Sequence, residues 1–179
     1  GVSYPAYELF YTIIDKTLDS GRGAVISKNN IAFSDTLNWG IAACRHANGR
    51  DWWIVMIKDT SDLIYKVLLS TNGSISVSTQ HLNYLPLPKG VLAQLTFSTD
   101  GKKFISSTYN NPFQKKSSIV LCDFNRCTGM FSNTQTIQLT NNAYLWGLAF
   151  SANGKYAYAC SSQNIFQVNT TTLQVDTVA

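Results

Sequence analysis

An internal repeat is the feature that most constrains this chain. Residues 95–104 and 148–157 align at an offset of 53 and share the pattern Phe-Ser-x-Asp/Asn-Gly-Lys, and a weaker copy surrounds Gly49. A second set of glycines, Gly73 and Gly129, lies between these copies. The turn glycines are Gly21, Gly49, Gly73, Gly101, Gly129 and Gly154, separated by 24 to 28 residues. Asn-Gly or Asp-Gly between apolar stretches predicts a two-residue hairpin turn with positive φ at both central positions.

The spacing predicts two hairpins per repeat, and therefore a four-stranded antiparallel sheet of about 50 residues. Such sheets in tandem are typical of a β-propeller. We predict an all-β fold, a partial β-propeller of about 3.5 blades, as a single segment over 1–179. It comprises a half blade over 7–33 and blades over 38–84, 90–140 and 143–179. Pro5, Pro86, Pro88 and Pro112 all fall in predicted connectors, where a missing backbone donor does no harm.

The strands of each blade are named A to D from the axis outward. The A–B and C–D turns then share one end of the blades, called here the turn end. The B–C and D–A connectors share the opposite end, called here the loop end. Because an arc of blades exposes apolar faces and an unpaired edge, we expect further blades, from a parent chain or a partner subunit, to complete it.

The repeated motif carries a resemblance to known proteins. The run Phe-Ser-x-Asp/Asn-Gly-Lys followed by alternating aromatic residues, at 97–104 and 150–158, resembles the YVTN and WD-repeat-like propellers. Residues 11–15, 46–54 and 123–129 are similar to segments of large secreted propeller proteins of the Bacteroidetes. Many of those carry a C-terminal gliding-motility or type IX secretion sorting domain. The resemblance covers nearly the whole chain and implies a secreted or cell-surface propeller; secretion by that route is implied by resemblance only.

Composition excludes several functional classes. Charged residues are 13% of the chain and hydrophobic residues 45%, which excludes a disordered tail. The longest apolar run, 52–57, is far shorter than the roughly 18 residues of a membrane-spanning helix, so we predict no membrane insertion. The net charge is +4 and the basic residues are scattered, whereas nucleic-acid binders usually gather them on one face. We therefore predict no nucleic-acid partner.

The residues that usually carry chemistry do not form a recognisable catalytic or metal-binding pattern. A zinc site needs close pairs of ligands that together make a set of four. His46, His81 and the four cysteines do not form such a set. No Gly-x-Ser-x-Gly elbow is present. Acids such as Asp59 and Asp62 are more typical of turns than of acid/base pairs. We predict no metal, no cofactor and no catalytic residues.

One cysteine pair is a candidate disulfide. Cys122 and Cys127 lie five residues apart, on the way into the turn at 128–129 and close to it. A bulge that brings their Cα atoms within about 7 Å would allow a bond between them. Reduced thiols in a packed interior are the alternative.

The predicted ligand-binding residues lie at the loop end. The connector 108–116 joins strands B and C of the blade over 90–140, and the D–A connectors share its end. Loops on a rigid scaffold are where recognition usually resides. Aromatic and basic side chains here would stack on a sugar or meet an acidic surface; a solvated loop pinned by Phe113 and Pro112 is the alternative. The candidate residues are Tyr109, Asn111, Phe113, Lys115, Lys116, Tyr84 and Tyr144.

The tryptophans have a structural interpretation. Trp39 and Trp146 each precede a glycine at the start of an A strand, and we expect them to pack between blades. Trp52 and Trp53 are neighbours on a strand, so their side chains point to opposite faces and contact different blades. A carbohydrate platform would instead need at least one exposed ring.

These observations favour a non-catalytic, secreted or cell-surface propeller scaffold that recognises a protein or glycan through its loop end. The alternative is a segment of a propeller enzyme of lactonase or lyase type, because similar folds host such activities. That alternative predicts a metal, or a cluster of acids and histidines, around the axis.

Overall fold

The computed structural model of the chain describes residues 6–86, 94–111, 116–141 and 145–178. Within these residues the chain forms thirteen strands and one 3-10 turn, at Asp19–Gly21. The strands are β1 (Ala6–Asp15), β2 (Ala24–Arg45), β3 (Trp52–Lys58), β4 (Leu63–Leu69), β5 (Ile75–His81), β6 (Leu95–Phe97), β7 (Lys103–Asn111), β8 (Lys116–Asn125), β9 (Met130–Asn141), β10 (Gly147–Phe150), β11 (Tyr156–Cys160), β12 (Ile165–Asn169) and β13 (Val175–Thr177).

Three antiparallel sheets contain these strands, each in sequence order. The first sheet is β1 to β5, the second is β6 to β9, and the third is β10 to β13. Every pair of neighbours in these sheets is antiparallel. The second and third sheets are complete four-stranded blades, and the first holds such a blade plus an N-terminal hairpin. The predicted all-β fold, a partial propeller of antiparallel blades, is confirmed.

The N-terminal hairpin is continuous with the first blade, which the sequence did not indicate. The 22-residue strand β2 pairs with β1 along its first part and with β3 along its last part, from Ile41 to Arg45. Between Leu37 and Ile41 its register on β3 shifts. The boundary expected between 33 and 38 is therefore a change of pairing partner within one strand.

The glycine turns have a different geometry from the predicted one. In the A–B turn of the second sheet, Gly101 N donates to Ser98 O at 2.8 Å and Ser98 N donates to Lys103 O at 2.9 Å. Gly101 has φ +70, whereas Asp100 is not among the described residues with positive φ. A two-residue turn needs positive φ at both positions, so that prediction is wrong. A longer loop built on a single left-handed glycine forms instead.

The Phe-Ser-x-Asp-Gly-Lys motif builds this turn. Ser98 Oγ donates to Asp100 Oδ1 at 2.7 Å and accepts from Lys103 N at 2.9 Å. Asp100 Oδ1 also accepts from Lys102 N at 3.0 Å. In the third sheet Ser151 and Asn153 make the same set of bonds. The motif therefore satisfies backbone N–H groups at the hairpin tip, which explains its recurrence without a ligand.

The hydrophobic core lies between the sheets rather than within one of them. One cluster joins the first two sheets and includes Val55, Ile64, Phe97, Phe104 and Phe124. A second cluster joins the second and third sheets, and its buried members are Ile105, Ile119, Leu121, Ile137, Ala157, Ala159 and Val168. Alternate residues of β7 and β8 enter the two clusters, as expected for strands covered on both faces.

The tryptophans divide into one buried ring and three exposed ones. Trp53 is 6% exposed and packs edge-on against Phe124 of the second sheet at 6.1 Å, so it lies between blades as predicted. Trp39 and Trp146 expose 59% and 65% of their surface, so neither ring is buried between the described sheets. Trp39 lies where the pairing of β2 with β3 is interrupted, and Trp146 precedes β10.

The N-terminal hairpin exposes many apolar side chains. They are Tyr7, Phe10, Tyr11, Ile13, Ile14, Val25, Ile26 and Ile31, each at least 36% exposed. A two-stranded hairpin is marginally stable in water without a covering layer. This hairpin is fastened to the first blade by the stacked rings of Phe33 and Tyr65, whose centroids are 4.4 Å apart.

Candidate functional site

The predicted B–C connector of the second blade is mostly strand. β7 extends to Asn111 and β8 begins at Lys116, with Tyr109 paired to Ser117 and Asn111 paired to Lys116. The backbone positions of Tyr109, Asn111 and Lys116 therefore lie near the tip of a hairpin rather than in a loop spanning 108–116. The predicted site residues Phe113, Lys115 and Tyr144 lie outside the described residues.

The B, C and D strands of the second sheet are longer than the corresponding strands of the other two blades. β8 begins 13 residues before its turn glycine, Gly129, whereas β4 begins 10 residues before Gly73. β9 has 12 residues, against 7 in β5 and 3 in β13. Strands β7, β8 and β9 together make a three-stranded projection at the loop end, and the predicted residues on it are carried by regular hydrogen-bonded backbone.

Hydroxyl groups fill the base of this projection. Ser106, Ser107, Thr108, Ser117 and Ser118 are all at most 4% exposed. Ser107 Oγ accepts from Gln94 N at 2.8 Å, and the Thr108 hydroxyl donates to Leu85 O. Ser117 Oγ is the one buried side-chain polar atom without a hydrogen-bond partner among the described residues.

Tyr84 occupies a structural position rather than an open one. Its ring packs on the core cluster between the first two sheets. Burial, with smaller contributions from the charges of Asp62 and Cys122, raises the pKa of its phenol. Tyr84 is the predicted ligand-binding residue whose side chain the structure describes, and this side chain is partly buried.

Two ionic groups lie at the loop end of the first blade. The Asp35 carboxylate accepts from Lys58 Nζ at 2.7 and 2.8 Å and from the Tyr65 hydroxyl. These bonds, Lys58 first, hold the pKa of Asp35 below its usual value. Asp62 Oδ1 lies 2.7 Å from His81 Nδ1, and Asp62 Oδ2 accepts from Asn83 N at 2.9 Å. Each carboxylate ties two chain segments together.

The predicted disulfide is not formed. Cys122 and Cys127 are both free thiols, as are Cys44 and Cys160. Cys122 is buried on β8 with its Sγ 3.5 Å from Thr134 Oγ1, whereas Cys127 is exposed in the C–D turn. The two side chains therefore lie in different environments. Burial raises the pKa of Cys122 to about 11 and that of Cys44 to about 12.

At the turn end, the first two blades are clamped together. Trp53 Nε1 donates to Arg126 O at 2.8 Å, and Ala47 N donates to the same oxygen at 3.2 Å. His46 Nε2 lies 3.1 Å from Cys127 O, while its Nδ1 accepts from Asn48 N at 3.1 Å. Because Nδ1 is an acceptor, Nε2 is the nitrogen that carries the proton and donates across the interface.

Two cavities open beside this clamp. One, of about 600 Å³, lies among the A–B turns of all three sheets and the C–D turn of the second. The other, of about 420 Å³, lies between β2 and β6 and is lined by Arg45, Trp52 and Thr96. Arg126 lines both. Arg126 was not among the residues predicted from the sequence, although its position in the C–D turn places it at the turn end.

The described residues show neither a metal cluster nor a membrane-spanning helix. No group of three or more His, Cys, Asp or Glu side chains in these ranges is arranged to hold a metal ion. Among the same residues, no helix has the length and apolar character needed to cross a membrane.

Comparison with known proteins supports the fold. No protein-family model and no curated protein matches the chain. A candidate 6-phosphogluconolactonase from Bacteroides uniformis is similar in structure, with a TM-score of 0.55 and 16% identity over 98% of this chain and 48% of that one. A candidate 6-phosphogluconolactonase from Bacteroides fragilis (TM-score 0.49, 13% identity, 90% of this chain and 42% of that one) also matches. Hydrazine synthase from Kuenenia stuttgartiensis matches with a TM-score of 0.49 and 11% identity, over 94% of this chain and 48% of that one.

The chain spans less than half the length of each of these three structures. At 16% identity the likeness to the Bacteroides uniformis structure shows the fold alone. Together with the three antiparallel sheets and the cores between them, it makes this chain a β-propeller segment.

Proposed function

We propose that the chain is part of a non-catalytic, secreted or cell-surface propeller that recognises a protein or glycan through its loop end. The observation that carries the proposal is that β7, β8 and β9 are longer than the corresponding strands of the other two blades and form a projection at the loop end. Binding residues are disproportionately found on the connections that a rigid scaffold holds in place, and the connection between β7 and β8 lies at this end. The projection bears Tyr109, Asn111 and Lys116 on paired backbone, which limits the entropy lost when a ligand binds.

Glycan and protein arrays test this proposal. The 179-residue chain is screened as wild type, as Tyr109→Ala with Lys116→Ala, and as Lys28→Ala with Tyr7→Ala. The last pair makes the same chemical changes on the N-terminal hairpin. We expect the loop-end pair to lose a signal that the hairpin pair retains. Equal signals from all three proteins would contradict the proposal.

A second part of the proposal concerns the N-terminal hairpin. Its exposed apolar side chains are the kind that further blades bury, whether these come from a parent chain or from a partner subunit. Light scattering after size exclusion tests this point. We expect the isolated 179-residue chain to self-associate, and a well-behaved monomer of 19.8 kDa would contradict the idea.

An alternative function is that of a lactonase. It is raised by the name given to the similar structure from Bacteroides uniformis, and the likeness itself extends to the fold only. Hydrolysis of 6-phosphogluconolactone above the spontaneous rate would favour this alternative. No acceleration, under conditions in which the chain is folded, would favour the recognition module.

A further inference from the structure

We propose that the turn end holds a second binding site, in which Arg126 binds an acidic saccharide. This site lies at the opposite end of the blades from the projection and does not depend on it. The cavity of about 600 Å³ is within the range of sites for small ligands and accommodates one or two sugar rings. Its walls are hairpin turns, whose backbone is held by their own hydrogen bonds.

The carboxylates of the cavity are already engaged. Asp100 accepts from Ser98 Oγ and Lys102 N, and Asp123 accepts from Lys103 Nζ at 2.9 Å and Asn133 Nδ2 at 2.7 Å. Burial alone would raise the pKa of both carboxyls, but these bonds and nearby cations outweigh it and hold both values low. Both acids are therefore ionised and satisfied at neutral pH.

The cations that remain are Arg126 and Lys102. Neither has a carboxylate within ion-pair distance among the described residues, whereas Lys103 is paired with Asp123. A guanidinium binds a carboxylate or sulfate through two parallel N–H donors, which gives both affinity and orientation. Both charges help to lower the pKa of Asp100 but neither forms an ion pair with it, so both are available to pair with an anionic group on a ligand.

The position of Arg126 is set by its surroundings. Its backbone oxygen accepts from Trp53 Nε1 and Ala47 N, which anchors the residue to the first blade. Its side chain crosses the buried Gly101, where an added Cβ would lie 2.7 Å from Arg126 Cδ. Because residue 101 is a glycine, the Arg126 side chain can lie across its backbone, where it lines both cavities.

The second cavity favours a saccharide over other anions. Trp52 is 39% exposed there, and the Arg45 guanidinium lies 5.4 Å from its ring centre. An exposed indole is a stacking surface for a sugar ring, and Thr96 and Thr99 supply hydroxyls to the same cavity. A stacking ring and hydroxyl-bearing side chains beside a few cations suit a saccharide with an isolated anionic group. A nucleic acid needs basic residues gathered on one face, and the basic residues of this chain are scattered.

Calorimetric titration of the 179-residue chain tests the site. The probes are tetragalacturonate, sialyllactose and a heparin hexasaccharide, with a neutral galactose tetramer, lactose and single-stranded DNA as comparisons. The variants are Arg126→Gln, Trp52→Leu and Arg22→Gln, the last of which removes one arginine charge from the N-terminal hairpin. Circular dichroism confirms that each variant is folded.

We expect at least one acidic saccharide to bind more tightly than its neutral counterpart and than DNA. Arg126→Gln should weaken it at least about tenfold, as expected for loss of a charged hydrogen bond, and Arg22→Gln should leave it unchanged. Trp52→Leu should also weaken it. The proposal is overturned if no acidic saccharide binds, if both arginine variants weaken binding equally, or if DNA binds as tightly as the saccharide. Tyr109→Ala separates the two sites, since it should affect the loop-end ligand alone.

Discussion

Gly129 offers a sharp test of how the first two blades fit together. It has φ +69 and lies in the C–D turn of the second sheet, directly over the ring of Trp53. A Cβ at this position would lie 2.5 Å from Trp53 Cη2 and 2.7 Å from its Cζ2. These distances are shorter than any normal carbon contact, and the ring is 6% exposed and held by its bond to Arg126 O.

The effect of Gly129→Ala has two parts that a control separates. Alanine in the left-handed region costs about 1–2 kcal/mol for its backbone alone. Displacing a packed ring adds about 1–3 kcal/mol of overpacking. Gly73→Ala isolates the first part, because Gly73 has φ +83 in the equivalent turn of the first blade and an added Cβ would meet nothing within 4 Å. We therefore expect Gly129→Ala to lower the free energy of unfolding by about 1–3 kcal/mol more than Gly73→Ala does.

Urea unfolding followed by far-UV circular dichroism measures both losses, and a double-mutant cycle assigns the difference. In a Trp53→Phe background the indole atoms nearest to the new Cβ are gone, so the extra cost of Gly129→Ala should shrink toward that of Gly73→Ala. Equal destabilisation by the two glycine variants in the wild-type background would refute the reasoning. So would an extra cost that persists in full without the indole.

Three further predictions concern single side chains. Ser98→Ala leaves the Lys103 N–H without its acceptor at a 4% exposed site, and should lower the free energy of unfolding by about 1–3 kcal/mol in urea titrations. Because folding lowers the pKa of Asp35, its carboxylate stabilises the fold above about pH 4, and this contribution is lost as the pH falls. Tyr65→Phe removes one of the bonds to that carboxylate. Thermal melts of this variant should therefore show a stability that depends less on pH below about pH 4. A thiol reagent at about pH 8 should modify the exposed Cys127 rapidly and the buried Cys122 only on unfolding, since the thiolate is the reactive form; protection of both before reduction would contradict the free-thiol state.

The blades were predictable because two independent signals agree along the chain. Apolar strands alternate with polar turns, and a glycine marks nearly every turn, so both strand order and pairing follow from spacing. The type of turn was not predictable in the same way. Asp100 uses its carboxylate to hold the turn's hydroxyl and N–H groups. The sequence shows an Asp-Gly pair in either case, whether the carboxylate caps the turn or the aspartate itself has positive φ.

The turn-end site was missed because nothing local marks it. Arg126 is an ordinary turn residue in the sequence, and its surroundings come from Trp53, 73 positions away, and from Gly101. The loop-end residues could be predicted as a candidate site because aromatic and basic residues cluster within one connector. Local clustering is visible in a sequence, whereas convergence of separate turns depends on how neighbouring blades pack.

The C–D turn of the third sheet shows which residue defines that turn. Leu173 has φ +62 and its N–H donates to Asn169 O, just as Gly129 N donates to Asn125 O. In both turns the asparagine Oδ1 accepts from the backbone N–H groups two and three positions later. The shared element is therefore the asparagine, and the glycine relieves strain that Leu173 tolerates because its side chain packs on the second core cluster. A search for the repeat by its glycines alone overlooks this turn, whereas a search for asparagine four residues before the left-handed position finds it.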